Sequence, residues 1–218
     1  MEYSKYIDHT LLKATATTED IIKLCKEAKQ YNFMSVCVNP CYIETAKAEL
    51  MDTDVLVCTV IGFPLGADTI ATKQIATMEA ISLGSDEIDM VINIGKAREN
   101  DFDYLYQEIK AVVEAAAGRI VKVIFETCYL NEEQKILVCR AATLAGALFV
   151  KTSTGFGTSG ATIEDVKLMR ANISSEMSVK ASGGIRCASD FLNFIKVGAN
   201  RIGTSNGVVI IEELKKGV

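Results

Sequence analysis

A closed (β/α)8 barrel in one domain, residues 1–218, is the fold class this sequence predicts, and three observations carry it. Short apolar runs alternate with amphipathic ones along the whole chain, eight of each. No shift in composition divides the chain. Helix-capping residues and glycines fall at the boundaries between the runs. An open doubly wound sheet is the alternative fold. Its dinucleotide fingerprint is met only as a spacing, by Gly155-Phe156-Gly157-Thr158-Ser159-Gly160, without the acid expected downstream.

In order, strands are expected at 6–9, 34–38, 55–60, 87–92, 120–126, 147–151, 178–182 and 200–203, the first with the least support. Helices are expected at 18–30, 41–50, 69–83, 102–117, 132–145, 163–171, 189–197 and 207–216. Thr17 before Asp20, Asn131 before Gln134 and Thr162 before Asp165 have the spacing in which an N-cap side chain meets the third helical residue. Gly84, Gly118, Gly146 and Gly198 stand between a helical run and the next strand, where a left-handed residue ends a helix.

Composition bounds the function. Apolar residues make up 49% and charged residues 23%, as in ordinary globular proteins. A net charge of −5 argues against nonspecific nucleic-acid binding, but leaves room for a small anionic substrate held by local donors. No apolar run approaches a membrane span and no leader is visible, so a cytoplasmic location is expected. The seven cysteines, Cys25, Cys37, Cys41, Cys58, Cys128, Cys139 and Cys187, contain no CxxC and are odd in number, so reduced thiols are expected. With one histidine, a zinc site would have to lean on Cys37 and Cys41, and no metal is expected.

In a barrel, chemistry belongs at the C-terminal ends of the strands. Lys151 ends an apolar strand and precedes the glycine-rich TSTGFGTSG. Period two also turns Glu87 and Asp89, Lys122 and Glu126, and Lys180 towards the barrel interior, so charges converge from four strands. One reading is a compensated ion-pair network that fills the interior. The other uses Lys151 and Lys180, at the ends of consecutive strands: a neighbouring ammonium favours the free amine that attacks a carbonyl. Lys151 is then the Schiff-base nucleophile, Lys180 the neighbouring cation and Asp89 a proton relay.

Ser182-Gly183-Gly184-Ile185 follows the seventh strand, and Gly203-Thr204-Ser205-Asn206-Gly207 leads into the last helix. Together with Thr154 and Gly155 these loops offer the backbone donors with which barrels hold phosphate. His9 is expected to be a hydrogen-bonded or core residue at the barrel floor. Arg186 and Arg201 are expected to be structural or rim charges.

KTSTGFG around Lys151, VKASGGIR around Lys180, EIDMVINIG around Asp89, CVNP at Cys37 and IDHTLLK near the N-terminus resemble the deoxyribose-phosphate aldolase family, from Tyr6 to about Gly207. The resemblance implies a class I, metal-independent aldolase with no cofactor. Such an enzyme reversibly cleaves 2-deoxy-D-ribose 5-phosphate to D-glyceraldehyde 3-phosphate and acetaldehyde in deoxyribonucleotide catabolism. It implies the roles given above for Lys151, Lys180 and Asp89. It also implies that Asp8, Cys37 and Thr152 lie near the substrate, with Lys122 a supporting charge. Thr154, Gly155, Gly183, Gly184, Gly203 and Ser205 are expected around the phosphate, and a homodimer is expected as the assembly. Asn206 stands where some members have serine, Phe156 where some have lysine, and KKGV where some carry a C-terminal tyrosine. Two other classes stay open on the residues alone: a different Schiff-base or phosphate-handling barrel enzyme, and a non-enzymatic barrel.

Overall fold

Apolar residues on one face of each strand need helices to cover them, and the other face must then point into a common interior. The computed structural model, which describes residues 3–217, has this arrangement. Met1, Glu2 and Val218, counted in the expected domain, lie outside the described residues. The strands β1 (Ile7–Leu11), β2 (Ser35–Val38), β3 (Leu56–Ile61), β4 (Glu87–Val91), β5 (Ile120–Ile124), β6 (Phe149–Lys151), β7 (Ser178–Ser182) and β8 (Arg201–Thr204) pair in sequence order, all in parallel. β8 closes on β1, with Asp8 opposite Gly203.

Around the barrel run α1 (Thr18–Tyr31), α2 (Ile43–Glu49), α3 (Ile70–Ser82), α4 (Ile94–Arg98), α5 (Phe102–Ala115), α6 (Glu132–Leu144), α7 (Ile163–Asn172), α8 (Ala188–Lys196) and α9 (Gly207–Lys215). Thr17 and Asn131 form complete capping boxes with Asp20 and Gln134. Thr162 accepts from the Asp165 N–H, but the Asp165 carboxylate turns instead to Lys135 Nζ, 2.6 Å away. The helix-ending glycines take the left-handed conformation, and α5 enters it one residue early, at Ala117 with φ +50°.

Ends of the expected elements fall within two residues of the sequence expectation, and three differences have a local cause. The expected strand 120–126 stops at Ile124, because Glu126 adopts φ +54° and starts a 3-10 turn at Thr127–Tyr129. The expected helix 41–50 is split, with Pro40–Tyr42 in a 3-10 turn before α2. The five-residue α4, capped by Asn93, is too short to show helical periodicity.

The main apolar core is the layer between strands and helices, where Ile88, Val121, Val123, Val150, Val179 and Ile202 meet Leu105, Ile109, Val112, Val138, Val166 and Phe191. Full burial of each such side chain contributes about 1.5–3 kcal/mol, so this outer layer can hold the barrel together while the interior carries charge. A smaller apolar cluster, Leu12, Cys37, Cys58 and Val60 with Phe63 packed against it, is separate from this layer. Among the described residues no helix is long and apolar enough to cross a membrane.

Candidate active site

β6 and β7 are in register at Lys151 and Lys180, which sets the two side chains next to each other. Asp89 reaches them from β4. Its Oδ2 accepts from Lys151 Nζ and from Lys180 Nζ, each at 2.7 Å. Its Oδ1 accepts from Lys122 Nζ at 2.9 Å and from Cys58 Sγ at 3.1 Å. Deeper in the barrel, Lys180 Nζ pairs with Asp8 Oδ2 at 2.6 Å, and Lys122 Nζ donates to Glu87 Oε2 at 2.6 Å. Arg201 completes the lattice, donating from Nε to Asp8 Oδ1 at 2.6 Å and from Nη2 to Glu87 Oε2 at 2.9 Å.

These groups are almost wholly removed from water: Asp8, Asp89, Lys122 and Lys180 are 0% exposed and Lys151 is 3% exposed. Burial pushes the Asp89 carboxyl up, but the ammoniums of Lys122, Lys151 and Lys180 outweigh it and hold the group well below the usual carboxylate range. Burial likewise pulls Lys180 down, and the carboxylates of Asp8 and Asp89 reverse the sign, so Lys180 keeps its proton more firmly than a free lysine. Asp8 is also held below its ordinary value, with burial opposed by Arg201 and then Lys180. Among the described residues the interior thus sets three carboxylates, Asp8, Glu87 and Asp89, against four cations, Lys122, Lys151, Lys180 and Arg201.

Above this lattice, at the C-terminal mouth of the barrel, lies a cavity of about 360 Å³. Of the expected site residues, Lys151, Thr154, Gly155, Gly183, Gly184, Gly203 and Ser205 line it, along with Arg186 and Asn206. Asp8, Asp89, Lys122 and Lys180 lie beneath it in the charge lattice. Gly203 has a particular reason to be glycine, since a Cβ there would sit 2.9 Å from Ser182 Cβ and 3.0 Å from Lys180 Cε. Its bare backbone leaves space for the stem of Lys180. Thr154 donates to the Glu126 carboxylate, which also accepts from the Thr154 N–H at 3.2 Å and so anchors the glycine-rich loop.

Other residues singled out from the sequence do not line this cavity. Thr152 is buried, and its hydroxyl bonds the Ser182 backbone, donating to O and accepting from N, both at 3.1 Å. Of the two roles expected for it, structural or rim charge, Arg201 takes the structural one, 5% exposed in the middle of the lattice. Cys37 has Cys58 as its neighbour on β3, in register, whereas Cys41 is exposed. The Cys37 and Cys58 sulfurs and an Asp89 oxygen lie within 4.8 Å of one another, but the Asp89 oxygens already take four donors. His9 is hydrogen-bonded as expected, to Glu27 Oε2 at 2.8 Å, but it does so beside Phe33 and Gly207 on the helix side of β1 rather than at the barrel floor. Reasoning from sequence missed Cys58 and the inward direction of Arg201. Arg201 is the first residue of β8, and its in-register match with Lys180 is the signal that gives its direction.

A closed parallel barrel with two side-by-side lysines under a glycine-lined mouth is the architecture of Schiff-base aldolases, and the chain belongs to the DeoC/LacD family of aldolases, whose model matches residues 3–212. Within that family it is 55% identical to the deoxyribose-phosphate aldolase of Caldanaerobacter subterraneus, over 99% of this chain and 95% of that one. It is likewise 55% identical to the deoxyribose-phosphate aldolase of Streptococcus pneumoniae, over 100% of this chain and 99% of that one. Among solved structures, the tetrameric deoxyribose phosphate aldolase of Aeropyrum pernix superposes with a TM-score of 0.92 at 33% identity, covering 99% of this chain and 92% of that one.

Proposed function

We propose that the chain reversibly cleaves 2-deoxy-D-ribose 5-phosphate to D-glyceraldehyde 3-phosphate and acetaldehyde, with Lys151 as the Schiff-base lysine. One observation carries this reading: of the four interior cations, Lys151 is the one that lines the cavity, and its carboxylate oxygen is shared with Lys180. Three carboxylates balance three cations once Lys151 gives up its proton, so the free amine is the form that leaves the interior neutral.

The Lys151 amine adds to the C1 aldehyde of the open-chain sugar, and the carbinolamine loses water to give a cationic imine. That imine draws the electron pair of the C2–C3 bond into an enamine while the C3 hydroxyl loses its proton, and glyceraldehyde 3-phosphate leaves. Protonation of the enamine at C2 and hydrolysis then release acetaldehyde and restore the amine. Lys180 supplies the fixed positive charge. Asp89 becomes a better proton acceptor when Lys151 is neutral, because one of the three ammoniums that hold it down is gone. Gly155, Gly183, Gly184 and Ser205, with Thr154, Arg186 and the N-terminus of α9, take the phosphate. Asp8, Cys37 and Lys122 support the site from below. A cytoplasmic enzyme of deoxyribonucleotide catabolism, acting as a homodimer, completes the reading.

The test is mass spectrometry of protein treated with acetaldehyde and borohydride, followed by peptide mapping, with Lys151→Ala alongside. A reduced two-carbon adduct on the Lys151 peptide, absent from the variant, is expected. No adduct, or one on Lys180 or on scattered surface lysines, would overturn the assignment.

A further inference from the structure

A second buried ion pair lies outside the barrel and takes no part in the chemistry above. Lys73 on α3 and Glu108 on α5 are both 0% exposed. All three Lys73 N–H bonds are used, donating to Glu108 Oε1 at 2.6 Å, Gly66 O at 2.8 Å and Val91 O at 2.7 Å. The other Glu108 oxygen accepts from Asn93 N at 2.9 Å. The pair therefore ties the loop between β3 and α3, residues 62–69, to the outgoing end of β4.

Packing tightens that tie. A Cβ on Gly62 would lie 2.7 Å from Lys73 Cε, and one on Gly66 would overlap the Ile92 carbonyl, so Gly62 lets this loop close over the lysine and Gly66 lets it lie against the end of β4. The Gly66 N–H donates to Gly62 O at 2.7 Å, curling the loop on itself. Phe63 projects from it onto Leu12, Cys37, Cys58 and Val60. Its ring also stands edge-on to Phe156, with centroids 5.3 Å apart. Leu12 and Phe156 line the cavity mouth, and Phe156, otherwise 54% exposed, is steadied on that side by the Phe63 ring.

A buried ion pair is a poor way to gain stability, because apolar side chains of the same volume commonly do as well or better. Burial pulls Lys73 down and pushes Glu108 up, which marks the same cost. What apolar residues cannot do is hold two carbonyls and an amide from separate segments at one point.

We propose that Lys73, with Glu108, is a positioning residue for the aldolase reaction, fixing the 62–69 loop so that Phe63 backs the Leu12–Phe156 wall against which the three-carbon phosphate half of the substrate rests. This rests on the aldolase reading of the site. A two-carbon aldehyde on Lys151 extends less far towards this wall than the five-carbon sugar phosphate, so trapping should depend on the wall less than cleavage does.

The experiment compares wild type, Lys73→Met/Glu108→Leu, Phe63→Ala and the triple variant, with KM and kcat for 2-deoxy-D-ribose 5-phosphate, acetaldehyde–borohydride trapping at Lys151, and thermal unfolding. In the double variant KM is expected to rise about ten-fold, with trapping within about two-fold of wild type and the unfolding transition still cooperative. Phe63→Ala should raise KM similarly, and adding it to the double variant should raise KM no further, since both act through one wall. Trapping that falls in step with cleavage, additive KM effects, or an unchanged KM would each overturn the proposal. If the double variant does not fold, Phe63→Ala decides: an unchanged KM removes the wall and the proposal with it. A wild type that neither traps acetaldehyde nor cleaves the sugar phosphate defeats the aldolase reading itself, whereas an active wild type with variants that behave otherwise defeats this inference alone.

Discussion

Lys151 and Lys180 donate to one and the same oxygen, Asp89 Oδ2, at equal distances of 2.7 Å. Two ammoniums on one oxygen make an arrangement in which one proton is in surplus, and its consequences can be measured.

Asp89→Asn removes the carboxylate shared by three lysines while keeping its size. Lys180 retains Asp8 and Lys122 retains Glu87, but Lys151 loses its carboxylate altogether. Cleavage, followed as kcat/KM, should fall by at least about 100-fold, a loss typical of a removed proton-transfer group. Urea unfolding should show a loss of about 3–5 kcal/mol from breaking a buried charge network on one side.

Lys180→Met takes away the ammonium that shares Asp89 Oδ2 with Lys151, to which the proposed mechanism gives the role of neighbouring cation. The acid limb of the kcat/KM profile should move to higher pH, while trapping by acetaldehyde at pH well above that limb recovers towards the wild-type level. An acid limb that stays in place would remove Lys180 from the role of neighbouring cation.

Stability should depend on acid in a defined direction. Asp8 and Asp89 have folded-state values below their unfolded value of about 3.9, so their contribution is complete above that pH and is lost as pH falls through the folded values. Glu108, held above its ordinary value by burial, works in the opposite sense as pH rises past about 4.3. Unfolding free energy from urea titrations should therefore decline steeply below about pH 4, and Asp8→Asn should flatten that decline.

Gly203→Ala introduces a methyl group into the space beside the Lys180 stem and Ser182. Overpacking of this kind costs about 1–3 kcal/mol, and a displaced Lys180 should also lower kcat more than it raises KM for the sugar phosphate. Thermal unfolding and steady-state kinetics on the same preparation check both effects.

Much of this site is legible from strand periodicity. Once alternating strands are assumed to face a common interior, Glu87, Asp89, Lys122, Lys151 and Lys180 fall inside together. The same rule misleads at Glu126, because a left-handed backbone at that residue ends the strand and turns its carboxylate to the glycine-rich loop. It is silent at Arg201, the first residue of a four-residue strand, whose direction follows only from its register with Lys180. The Cys37–Cys58 and Lys73–Glu108 neighbours lie 21 and 35 positions apart, and no local pattern announces them. The resemblance of whole motifs supplied Asp8, whose two flanking residues on β1 say nothing of charge.

The contact between Asp8 and Arg201 spans 193 positions, from the first strand to the last. A ribosome therefore releases Asp8 long before either of its counter-ions, Lys180 and Arg201, exists, whereas Glu87 meets Lys122 on the next strand. Until β7 and β8 arrive, the Asp8 carboxylate has reason to stay in water, and the strand bearing it has no closed interior to enter. The last seam to form is thus also the one that brings the guanidinium bridging Asp8 and Glu87, so a chain cut short before Arg201 lacks more than a strand. It leaves Asp8 and Glu87 without the guanidinium that joins them across the barrel, and closure and that junction are completed in a single late event.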